Sequence, residues 1–140
     1  MTLVQQAGGI VWRAAGAGAE VLVVSGKSEQ ERWTFPKGDL EAGESPAEAA
    51  EREGREEAGV ESRVLAPAGD LEFAHKGRHL RVRYFLLELT SRIGDGDGRQ
   101  VTWRSIDDAL EALSFDGTRR LLRSLRRKIE AQAQLRAARR

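Results

Sequence analysis

GDLEAGESPAEAAEREGREEAGV, residues 38–60, opens on Gly38, reaches a glutamate at Glu44, and continues through Arg52-Glu53 and Glu56-Glu57 to Gly59. Its second half predicts a helix: Ser45 is an N-cap, Pro46 takes the first helical position, and Glu48 completes a capping box. Gly59 supplies the stop. At about 3.6 residues per turn, Glu53, Glu56 and Glu57 fall within an arc of roughly 100°. Ala47, Ala50, Gly54 and Ala58 form a stripe of small residues on the other side. Like charges on adjacent positions repel, so a purely structural helix gains nothing from this clustering. A divalent cation removes the repulsion. Hard oxygen donors suit Mg²⁺ or Mn²⁺, with the remaining ligands drawn from water and substrate phosphates.

These residues resemble the signature box of the Nudix hydrolases, which split a nucleoside diphosphate linked to some other group. Gly38, Glu44, Arg52, Glu53, Glu56, Glu57 and Gly59 match its charged and glycine positions. Gly54 stands where the box has a bulky aliphatic residue, and a mid-helix glycine costs about 1 kcal/mol against alanine. The resemblance implies an α/β fold, an α/β/α sandwich whose central mixed sheet lies between the box helix and a C-terminal helix. It also implies Glu53 and Glu57 as the main metal ligands, helped by the Gly38 carbonyl. Glu56 becomes the proton acceptor or an additional ligand, Arg52 the residue that orients it or its neighbours, and Glu44 a stabiliser of the loop. Several family members carry an extra acid six residues before the tryptophan at Trp103, here Asp97; a plain hairpin turn accounts for Asp97 equally well.

A chain of 140 residues with 40% apolar composition fits one domain, read here as residues 1–130 with a basic tail at 131–140. There are no repeats and no cysteines, which excludes a solenoid, disulfides and thiolate metal sites. No long apolar run or basic-apolar leader is present, so the expectation is a soluble cytoplasmic protein without a membrane partner. The net charge of +1 hides an uneven distribution: acidic residues crowd Asp39–Glu61, basic ones Arg119–Arg140. An acidic pocket facing polyphosphate needs metal, or nearby Lys and Arg, to neutralise it.

Leu3–Arg13 and Val21–Ser25 read as strands, with Gly8-Gly9 marking a bulge or a close backbone approach. Further strands are expected over Val60–Leu65, Gly69–His75 and His79–Leu89, with a hairpin at Lys76-Gly77. Gly94–Gly98 reads as a flexible acidic loop; it is no calcium loop, since Ile106 stands where the bidentate glutamate belongs. His75 and His79 lack a third zinc ligand. A helix starts at Asp107, and another spans Thr118–Ile129 with Leu121, Leu122, Leu125 and Ile129 on one face. Beyond Glu130 the apolar face fades, so the tail is expected to fray or project, its arginines solvated or available to RNA.

The approach Phe35-Pro36-Lys37-Gly38, the run Val23–Lys27 and the segment Trp103–Leu110 resemble the branch that cleaves dinucleoside polyphosphates and diphosphoinositol polyphosphates. Lys27, Lys76, Arg78 and Arg99 fall near positions where that branch holds phosphates, and Lys37, one residue before the box, is a further candidate. Gly26 and Gly117 depart from the inositol enzymes. The function implied is metal-dependent hydrolysis of a phosphoanhydride bond in a dinucleoside polyphosphate, a small-molecule nucleotide. Alternatives are a pyrophosphohydrolase acting on oxidised nucleoside triphosphates or on RNA 5′ ends, and a non-catalytic nucleotide-binding module.

Overall fold

The structure, a computed structural model, describes residues 3–16, 18–26 and 32–139. Lys27 and the polar segment to residue 31 lie outside them. Seven strands form one mixed sheet: β1 (Leu3–Ala15), β2 (Gly18–Ser25), β3 (Trp33–Thr34), β4 (Lys37–Asp39), β5 (Val60–His75), β6 (Arg78–Arg92) and β7 (Val101–Ser105). The sheet runs β3-β2-β1-β6-β5, with β4 added beside β1 and β7 beside β2. Among the described residues, only the central β1–β6 pair is parallel, from Leu3↔His79 to Trp12↔Glu88.

Alternation along the central strands sends side chains to two cores. Ile10, Trp12, Val21, Val23, Leu80, Val82, Tyr84 and Leu86 face α2 (Ile106–Ala112) and α3 (Asp116–Ala138). Ala7, Val11, Leu22, Val24, Phe85 and Leu87 face α1 (Pro46–Ala58). The result is the expected α/β/α sandwich. The two helix layers are held differently. Leu121, Leu122, Leu125 and Ile129 of α3 are buried, each worth about 1.5–3 kcal/mol. Helix α1 instead offers Ala49, Ala50, Gly54 and Ala58, small residues that let its backbone approach the sheet.

Both bonds of the capping box form, Glu48 N–H to Ser45 Oγ at 3.1 Å and Ser45 N–H to Glu48 Oε1 at 2.9 Å. Gly59 ends α1 in the left-handed region at φ 66°. Gly8-Gly9 is a close approach: a Cβ on Gly8 would lie 2.6 Å from the Pro36 carbonyl oxygen, and Gly9 N–H donates to that oxygen at 3.1 Å. The two strands expected between residues 60 and 75 are one, β5, bent by register shifts at Glu61/Ser62, Val64/Ala66 and Pro67/Gly69. Irregular pairing lets a strand change direction without ending.

Helix α3 shows no break at residue 130. It runs to Ala138, with Ala133 only 3% exposed. Arg136 donates to Glu88, a buried carboxylate that also accepts from Arg63 at 2.6 Å. No helix among the described residues is long and apolar enough to cross a membrane.

Candidate active site

Glu53 and Glu57 lie one turn apart on α1 and are the two carboxylates it buries, 7% and 6% exposed. Glu56 points outward. The expected arc of three acids is thus split: the small residues Ala50, Gly54 and Ala58 lie beside Glu53 and Glu57 on the buried face, not opposite them, and leave Glu56 outside. Glu53 rests against β4: a Cβ on Gly38 would fall 2.3–2.6 Å from its carboxylate atoms, so only glycine fits there. Arg52 organises the rim. Its Nε and Nη2 hold Glu44 at 2.7 and 3.0 Å, Nη1 reaches Glu53 at 2.7 Å and Glu56 at 3.1 Å, and Nη2 also donates to the Asp39 carbonyl at 2.9 Å. Paired in this way, the guanidinium holds Glu44 below its ordinary pKa. Glu44 in turn accepts from the Glu41 N–H at 3.0 Å, fixing the loop before α1.

Burial pushes the Glu57 carboxyl up to about 9, with Glu53 and Asp97 adding to the rise and Arg99 opposing it. Arg99 stands 3.2 Å from Glu57 and grips Asp97 through Nε at 3.0 Å and Nη2 at 2.8 Å. The loop carrying both is packed onto α1 rather than free: Ile93 and Gly94 N–H groups donate to the Gly59 carbonyl at 2.8 and 3.2 Å.

Beyond Glu57 opens a cleft of about 390 Å³, lined by Lys37, Arg99, Lys76 and His75 together with Phe35, Phe73, Leu80 and Phe115. Lys37 donates to Gln6 Oε1 at 3.1 Å and lies 5.7 Å above the Phe73 ring. Burial lowers its pKa, opposed by Glu57 and Asp39. Phe73 and Phe115 meet edge to face at 6.1 Å, and the Arg32 guanidinium sits 5.7 Å from the Phe115 ring.

Residues 3–125 match the family described as NUDIX domain. The chain belongs to the Nudix family. Over 99 residues, 67% of this chain, it is 36% identical to diphosphoinositol polyphosphate phosphohydrolase 3-alpha of Mus musculus and 34% identical to that of Homo sapiens. The chain spans about three fifths of the length of these curated relatives, 60% in each case. Among solved structures, C. elegans Ap4A hydrolase in a binary complex superposes with a TM-score of 0.76 at 25% identity, covering 96% of this chain and 98% of that one. The E. coli dihydroneopterin triphosphate pyrophosphohydrolase, at TM-score 0.72 and 16% identity over 89% of this chain and 95% of that one, shares the fold.

Placed on this Nudix scaffold, the expected residues divide. Glu53, Glu57 and Gly38 converge; Glu56, with a side chain 55% exposed, is joined to them through Arg52. Among the described residues no three His, Cys, Asp or Glu side chains form a ready-made cation site. Two buried hard-oxygen carboxylates against a glycine backbone still fit a hydrated divalent cation that takes few protein ligands. Asp97 lies close enough for its charge to bear on Glu57, but its carboxylate is held by Arg99. Lys37, Lys76 and Arg99 line the cleft. Arg78 turns aside to Asp39, at 2.9 and 3.1 Å. Gln6, Asp39, Phe73, Phe115 and Tyr84 were not singled out by sequence. The buried Tyr84 hydroxyl has no hydrogen-bond partner among the described residues, and the Glu57 charge adds to the rise in its pKa that burial causes. Alternation marks Phe73 and Tyr84 only as core, and nothing local marks the others.

Proposed function

We propose that this chain hydrolyses a phosphoanhydride bond of a dinucleoside polyphosphate, using Mg²⁺ or Mn²⁺. The observation that carries the reading is the cleft itself, which sets aromatic Phe73 and Phe115 and cationic Lys37 and Arg99 beside the buried Glu57. Half-buried aromatic rings suit a nucleobase, by stacking worth about 1–3 kcal/mol per base. The cations suit a polyphosphate. An inositol substrate offers charge but no aromatic face. Gly117 packs against Leu71, a Cβ there lying 3.3 Å from Leu71 Cδ2, so a long side chain at this position would crowd that contact.

Glu53 and Glu57, with the Gly38 carbonyl, would hold the cation. Bound there, it would neutralise phosphate charge and acidify a water for displacement at phosphorus. Lys37 and Arg99 position the phosphates. Arg52 fixes Glu53 and Glu56 relative to one another, and Glu56, exposed on one side, accepts the proton of the attacking water. The Phe73–Phe115 face keeps one end of the substrate out of water.

The names of the Mus musculus and Homo sapiens relatives support a second reading, a diphosphoinositol polyphosphate substrate. Turnover with Mg²⁺ on diadenosine tetraphosphate, a diphosphoinositol polyphosphate, deoxyguanosine triphosphate and a 5′-triphosphorylated RNA separates the readings. The expected order puts the dinucleotide first, with Phe73→Ala raising its KM. Preference for the inositol compound or the triphosphate overturns the assignment, and binding without turnover of any of them identifies a non-catalytic module.

A further inference from the structure

One guanidinium in this site serves two carboxylates and faces the cleft. Arg99 holds Asp97 bidentately and stands 3.2 Å from Glu57, with its own side chain 13% exposed and that of Glu57 8% exposed. The segment bearing it is seated firmly on the C-terminal turn of α1. A Cβ on Gly59 would fall 2.1 Å from the Gly94 carbonyl oxygen, and one on Gly96 would fall 2.4 Å from the Glu57 carbonyl oxygen. Arg99 is therefore delivered to Glu57 by backbone packing, not by a wandering loop. A divalent cation and a guanidinium repel one another and compete for the same carboxylate. A phosphate in the cleft competes with Glu57 for the guanidinium.

We propose that Arg99 couples the cation to the polyphosphate: it stays paired with Glu57 until a divalent cation takes that carboxylate, then presents its released Nη1 edge to a substrate phosphate while Asp97 keeps the opposite edge. This rests on the reading of Glu57 as a metal ligand and of the cleft as a polyphosphate site. Linkage makes the coupling reciprocal, so polyphosphate also tightens cation binding. Arg99 acts here as a positioning residue with two alternating partners.

The test measures Mn²⁺ binding by electron paramagnetic resonance, and binding of a methylene-bridged, non-hydrolysable diadenosine tetraphosphate by calorimetry, on the full chain and on Arg99→Gln. The variant is expected to bind Mn²⁺ alone about fivefold or more tightly than the parent, and the analogue with Mn²⁺ about fivefold or more weakly, the lower end of ordinary coupling. A purely structural arginine would weaken both. Unchanged or weaker Mn²⁺ binding in a folded variant overturns the coupling, while analogue binding by the parent keeps the substrate reading standing. Analogue binding to neither protein overturns the substrate reading, and the coupling with it. If the variant fails to fold, the parent decides by nuclear magnetic resonance. Mg²⁺ alone is expected to shift the Arg99 guanidinium signals, and signals that stay in place overturn the proposal.

Discussion

A Cβ added at Gly54 would lie 3.5 Å from Val60 Cγ2 and 4.0 Å from Ser62 Oγ, ordinary contact distances. Gly54→Ala is therefore expected to stabilise the protein by up to about 1 kcal/mol, read as a rise in Tm of about 2–4 °C; a fall would show that Gly54 is a close-contact point of α1 on β5. Gly38→Ala behaves oppositely, because its Cβ would overlap the Glu53 carboxylate. Glu57 gives a pH prediction with a definite sign. Its folded pKa of about 9 lies above the ordinary 4.5, so the folded state binds the proton more tightly than the unfolded chain does. That contribution is full below about pH 4.5 and is lost as pH rises towards 9. With chelator present, this group lowers Tm across that window, with Glu53, Asp97 and Arg99 as its charged neighbours. Mg²⁺ should restore Tm most at the alkaline end, and a Mg²⁺ effect that does not grow with pH contradicts the carboxylate pair as its site. The box residues were legible in sequence because their spacing lies within one helix. Gln6, which bonds Asp39 at 2.7 Å across 33 positions, was not, since only strand register brings the two together.

Helix α3 shows where composition misleads at the level of an element. Arginine-rich sequence after Glu130 reads as a solvated tail, yet Ala133 is buried and Arg136 bonds the buried Glu88. Neither contact leaves a periodic apolar signal: alanine is small, and the partner of Arg136 lies 48 positions away. Removing residues 131–140 is expected to destabilise the fold by about 1–2 kcal/mol, allowing for solvent screening of a half-exposed arginine, while KM for a dinucleotide stays unchanged because the cleft lies elsewhere. A thermal melt with steady-state kinetics on the truncated chain checks both; an unchanged Tm would mean that the docked end contributes nothing. The Gly94–Gly98 stretch is the second such element. Its glycines read as flexibility, whereas Gly96 provides clearance beneath the Glu57 carbonyl and takes φ 74° to do so. Hairpin, capping box and amphipathic stripe, all local patterns, were read correctly from sequence.

Across the whole molecule, the parallel β1–β6 pair sets the centre and places α1 and α3 on opposite faces, so the acidic helix α1 and the basic helix α3 occupy opposite sides of the sheet. The cleft gathers residues from β4, α1, β5, the segment before β7 and the start of α3. That convergence is why its aromatic part escaped the sequence, where Phe73 and Phe115 sit in unrelated segments. In the proposed function, the Glu53–Glu57 pair, carried by α1 against Gly38, binds the divalent cation on which hydrolysis depends. The most direct measurement compares Mg²⁺-dependent turnover of diadenosine tetraphosphate by the parent chain and by Glu57→Gln, with Mn²⁺ binding and Tm recorded on the same samples. Turnover is expected to fall by about 100-fold or more and Mn²⁺ binding to weaken, with the fold retained because a neutral amide replaces a carboxyl that burial already disfavours as an anion. Parental turnover and Mn²⁺ affinity in a folded Glu57→Gln variant would contradict it.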